Sequence, residues 1–116
     1  MLPSLDGLVF SPIARAEHGE ADPGTSFAYR EQDDRVWASY QGGDIAHGHL
    51  VGTRDGDTLD FRYVQLSRAG RTSSGHCVSR LSRLADGRLR LDETWQWESR
   101  PGAGTSAVEE VLPPAS

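Results

Sequence analysis

Apolar and polar positions alternate with a period of two in short bursts along this chain: Phe27 and Tyr29, then Leu59, Phe61 and Tyr63, then Leu89 and Leu91. That period sends successive side chains to opposite faces of a strand, and no stretch sustains a helical period for three turns. Turn-forming pairs divide the bursts at near-regular intervals, at Asp6-Gly7, Pro23-Gly24, Asp33-Asp34, Gly42-Gly43, Asp55-Gly56, Ala69-Gly70, Asp86-Gly87 and Pro101-Gly102. The pattern predicts about eight short strands joined in chain order. Ser106-Ala107-Val108-Glu109 has the spacing of a capping box, but Pro113-Pro114 follows within a turn or two, so the segment reads as the last strand. An even-numbered meander pairs its last strand with its first and removes both exposed edges. The expected fold is all-β: a single small antiparallel up-and-down meander β-barrel over residues 1–116, with residues 113–116 as a frayed tail.

Register can be argued for two hairpins. If Asp86-Gly87 is a two-residue turn, Arg80 faces Glu93, Val78 faces Trp95 and His76 faces Trp97. Arg90, Asp92, Thr94, Gln96 and Glu98 then form a polar outer face, which turns Glu93 inward beside Trp95 and Trp97. A bulge at that turn would instead set Cys77, Ser79 and Leu81 opposite the inward residues. A similar turn at Asp55-Gly56 puts Leu50 against Phe61, Gly48 against Tyr63, and His47, His49 and Arg62 outside. Val36-Trp37-Ala38-Ser39-Tyr40 is apolar on both faces, which suits cover by a second subunit; a homo-oligomer, a dimer, is expected.

Composition narrows the function. A chain of 116 residues buries one core. A net charge of -5 and a pI near 5.2 provide no attraction to phosphate backbones or anionic lipid, so neither nucleic acid nor a membrane surface is an expected partner. All 12 basic residues are Arg, which excludes Schiff-base chemistry and lysine-anchored cofactors; no cofactor is expected. The single Cys77 has no disulfide partner, and Met1 to Gly7 carries neither a basic leader nor an apolar export core, so a cytoplasmic location is expected. His47 and His49 have a spacing that suits metal ligands, but no Cys or carboxylate supports them, and solvated histidines are the expectation. Asp55-Gly56-Asp57 lacks the other ligand positions of a calcium loop, and Cys77 reads as a packed strand residue.

Glu93 carries the strongest candidate chemistry. Beside two tryptophans its carboxyl loses hydration and tends to a raised pKa, while a facing Arg80 would tend to lower it. It is either a ligand anchor or general acid/base, or a paired charge near the barrel mouth. Trp95, Trp97, Tyr63, Tyr29, Phe27 and Phe61 either line a pocket for a small apolar or aromatic ligand or fill the barrel solid. Three readings stay open: a small-molecule-binding barrel using Trp95, Trp97, Arg80, Tyr63, Phe61 and Tyr29; a cofactor-free enzyme of isomerase or cyclase type working through Glu93; and a structural oligomer without ligand.

Asp6-Gly7 with Val9-Phe10, Val36 to Gly43, Leu59 to Tyr63, Gly75-His76-Cys77, Asp86 to Leu91 and Glu93-Thr94-Trp95-Gln96-Trp97 together carry a resemblance. From about Asp6 to Val111 the chain resembles a family of small bacterial β-proteins that bear the label N-acetylglutamate synthase. An acetyltransferase of the usual type cradles the coenzyme A pyrophosphate with a glycine loop opening a helix, and Arg100-Pro101-Gly102-Ala103-Gly104 lacks that spacing and a following helix. No binding of acetyl-coenzyme A is therefore expected. In architecture the chain is similar to the avidin and lipocalin barrels, a likeness that implies no particular ligand.

Overall fold

The computed structural model describes residues 2–112, so the expected frayed tail from Pro113 to Ser116 lies outside the described residues. Eight strands form in chain order: β1 (Val9–Pro12), β2 (Ser26–Gln32), β3 (Arg35–Gly42), β4 (Ile45–Asp55), β5 (Thr58–Ser67), β6 (Thr72–Arg83), β7 (Leu89–Trp97) and β8 (Ala103–Glu110). Each pairs antiparallel with the next, and β8 pairs with β1 to close the barrel, Phe10 opposite Glu110 and Pro12 opposite Val108. The segment with capping-box spacing is thus the closing strand. No open edge remains among these strands, as an even meander requires.

The turns carry the residues their geometry demands. Asp33 and Asp34 both adopt left-handed φ, +52° and +62°, and form a two-residue turn between Gln32 and Arg35. The β4–β5 turn is Gly56-Asp57 rather than Asp55-Gly56, because Asp55 pairs with Thr58. This slides the expected pairing by two residues: Leu50 faces Tyr63 and Gly52 faces Phe61, while inside and outside stay as expected, with His47, His49 and Arg62 exposed. The ring over Gly48 belongs to Tyr40, and Tyr63 covers Gly75; a side chain at either glycine would collide with its ring.

The β6–β7 turn changes which residues face each other. Leu84 N–H donates to the Arg88 carbonyl at 2.7 Å and Gly87 N–H to the Leu84 carbonyl at 3.0 Å, so the loop has three residues, Ala85-Asp86-Gly87, with Gly87 at φ +93°. Cys77 therefore faces Trp95, Ser79 faces Glu93 and Leu81 faces Leu91. The expected Arg80–Glu93 pair does not form. Arg80 stands opposite Asp92 on the outer surface and pairs with Asp57 at 3.4 Å.

The core separates into two ends. Leu5, Leu59, Leu81, Leu89 and Leu91 are fully buried, and Leu5 belongs to the segment before β1 that plugs this end. Arg54 pins the plug, donating to the carbonyls of Leu2 and Pro3 and to Glu31 Oε1 at 2.7 Å, while Leu5 N–H donates to the same carboxylate. The aromatic residues collect toward the other end. There the chain between β1 and β2 crosses the mouth. It is tied down by Trp97 Nε1 donating to the His18 carbonyl at 3.1 Å, by Gln65 Nε2 donating to Glu20, and by an Arg15–Asp44 ion pair at 2.7 Å.

On β3, Val36, Ala38 and Tyr40 point inward and Trp37 outward, which resolves a strand whose alternation is ambiguous in sequence. Trp37 pairs with Val51, which is 55% exposed.

Candidate functional site

Beneath the β1–β2 crossing lies a cavity of about 80 Å³. Its walls include Trp95 and Trp97 of β7, Phe61 and Tyr63 of β5, and Phe27 and Tyr40 of β2 and β3; Ala16, Gly19 and Glu20 close it from above. The barrel is therefore not filled solid. Strand alternation brings these rings together, since Leu89, Leu91, Trp95 and Trp97 all point inward and Arg90, Asp92, Thr94 and Gln96 all point out or stand half-exposed at the surface. The rings meet edge to face: Trp95 to Trp97 at 62° and Tyr63 to Trp97 at 64°, each with centroids 5.6 Å apart. These three rings make corners, while Phe27 and Tyr40 across the cavity stack at 24° with centroids 4.5 Å apart.

Glu93 opens on this cavity. Burial of its carboxyl pushes the pKa up to about 7, against the lowering effect of hydrogen bonds from Ser106 and Ser79. Ser106 Oγ donates to Oε1 at 3.1 Å. No guanidinium or imidazole of the described residues contacts the carboxyl, because the three-residue turn carries Arg80 outside. The surrounding groups stay neutral for the same reason that Glu93 is perturbed: burial and the Glu93 charge raise the Tyr29, Tyr40, Tyr63 and Cys77 pKa values well above their ordinary range.

A second polar group sits near the mouth. Tyr40 Oη donates to Gln65 Oε1 at 2.8 Å, Gln65 Nε2 donates to Glu20 at 2.7 Å, and Arg100 approaches Glu20 at 3.8 Å. Arg100 also lies 4.0 Å from the centroid of the Trp97 ring.

Of the residues singled out from sequence, Glu93, Trp95, Trp97, Tyr63 and Phe61 meet around the cavity. Arg80 does not reach it, and Tyr29 lies behind the wall, packed edge to face on Phe10 at 5.3 Å. The Tyr29 hydroxyl is buried without a hydrogen-bond partner among the described residues. Sequence reasoning did not reach Ser106, Tyr40, Gln65 or Glu20. Ser79 was accessible only through the bulged register.

Closed meander, plugged at one end and crossed by its own chain at the other, with an aromatic chamber between: this is the architecture of a barrel built around an interior. A family model described as "Avidin-like protein" matches residues 3–111, and the chain belongs to the avidin-like family. Comparisons with curated proteins and with solved structures gave no match.

Proposed function

We propose that this barrel binds a small molecule in the cavity between Trp95, Trp97, Tyr63 and Phe61, with Glu93 as its polar anchor. One observation carries the reading: an aromatic-walled cavity, partly open to the surface, is lined by Glu93, whose carboxyl meets hydroxyl groups and no cationic partner among the described residues. Pockets for small molecules are mostly apolar with a few placed polar groups, and that description fits this chamber. Its volume of about 80 Å³ is below the ~300–1,000 Å³ of drug-sized sites, so the cavity suits a ligand of few non-hydrogen atoms. Binding is tested by tryptophan fluorescence and ligand-detected NMR against a panel of small polar and apolar compounds. Saturable change in wild type, lost for polar compounds in Glu93→Gln, supports the proposal; a panel without effect refutes it.

A second reading, acid–base catalysis without a cofactor, rests on the same carboxyl, which at a pKa of about 7 exchanges its proton near neutral pH. Catalysed exchange of carbon-bound protons of a bound carbonyl compound into deuterated water, abolished in Glu93→Gln, would favour it over binding alone. The proposal also includes a homodimer, with a second copy covering the outer face around Trp37, Val51 and Val64.

A further inference from the structure

The charge distribution of the chamber is one-sided. Among the described residues its lining holds two carboxyl groups, Glu93 and Glu20, and no Arg or His. Glu20 is engaged by Gln65 and approached by Arg100, whereas Glu93 meets only hydroxyl groups. Around it stand the π-systems of Trp95, Trp97 and Tyr63, joined at steep angles, and of Tyr40, stacked on Phe27. A carboxylate inside an aromatic box attracts positive charge twice over, through the ion and through the negative ring faces.

We infer that the cavity's ligand is a small organic cation, an alkylated ammonium or comparable group, with its charge on Glu93 and its alkyl surface against Trp95, Trp97 and Tyr63. The inference rests on the ligand-binding reading above and adds the chemical class. A neutral ligand bearing a carbonyl would instead require Glu93 in its protonated form, as a donor. The two cases differ in proton traffic. A cation favours the ionised carboxylate and expels its proton on binding; a carbonyl favours the acid and takes one up.

Few other groups near Glu93 titrate near neutrality. Tyr29, Tyr40, Tyr63 and Cys77, on β2, β3, β5 and β6, are all shifted upward and remain neutral. Ser79 and Ser106 do not ionise. Asp92 precedes Glu93 in the chain and is tied outside by Arg90, which also holds Glu109; Arg80, paired with Asp57, and Arg15, paired with Asp44, border the outer side of Glu93. Glu20 stands at the mouth beside Arg100.

The test uses the full chain with tetramethylammonium and with tert-butanol, a neutral molecule of the same heavy-atom count. Each is titrated by calorimetry in two buffers of different ionisation enthalpy and followed by tryptophan fluorescence. Tetramethylammonium is expected to bind at least about tenfold more tightly than tert-butanol, to release protons near neutral pH, and to weaken progressively as pH falls below about 7. In Glu93→Gln the preference and the proton release disappear together, with near-ultraviolet circular dichroism reporting an intact core. Equal or tighter binding of tert-butanol, or proton uptake, overturns the cation while leaving a ligand-binding barrel. If neither probe binds but a neutral compound from the panel does, the cation is likewise overturned; if no compound binds, both readings fall.

Discussion

A carboxyl whose pKa is raised by folding holds its proton more tightly in the native state than in the unfolded chain. Glu93, with an ordinary value of 4.5 and about 7 in the barrel, therefore lowers stability as pH rises through that window and contributes no penalty below it. At roughly 1.4 kcal/mol per unit the full effect is on the order of 3 kcal/mol. Chemical denaturation of Glu93→Gln should show a stability nearly flat between about pH 5 and pH 8, and above wild type by about 1–3 kcal/mol at the alkaline end. Trp95→Ala should instead cost about 3–5 kcal/mol at every pH, because Trp95 is only 8% exposed and leaves a void against Gly104. The inward aim of Glu93 and both tryptophans was legible in the five polar residues interleaved with them. Its partners were not, since Ser79 and Ser106 are small polar residues with no periodic signal of their own. The Tyr29 hydroxyl likewise looks in sequence like any other candidate contact; only packing against Phe10 puts it behind the wall.

At the scale of elements, strands were legible and hairpin details were not. Period-two alternation survives a shift of two residues, so Leu50 and Phe61 stay inside although the β4–β5 turn moved to Gly56-Asp57. A shift of one residue swaps faces, and that is what the three-residue Ala85-Asp86-Gly87 loop did to Arg80. Asp-Gly fits either loop, and the choice is made by backbone geometry that the pair does not encode. The β1–β2 crossing, without periodicity, carried no signal. Two turn and plug contacts are testable. Asp34 occupies a left-handed conformation at φ +62° that costs a β-carbon about 1 kcal/mol, so Asp34→Gly should raise the melting temperature by a few degrees. Glu31→Ala strands the Arg54 guanidinium, whose side chain is 7% exposed, and should cost about 3–5 kcal/mol in denaturant unfolding.

For the molecule as a whole, the outer surface bears Trp37 beside Val51, with Val64 one step across on β5, both valines more than half exposed. Sedimentation at micromolar concentrations is expected to give a dimer that Val51→Asp dissociates; a wild-type monomer would remove the second copy from the proposal. The barrel's closure has a consequence for how the chain reaches this state. Seven of its seams join neighbours in sequence and can zip locally, but the eighth joins Phe10 to Glu110, from opposite ends of the chain. That seam cannot nucleate folding, since the loop it closes is nearly the whole protein. Until it forms, β1 and β8 are bare edges open to strands of other chains. Refolding should accordingly run in milliseconds to seconds rather than microseconds, and become prone to aggregation as protein concentration rises.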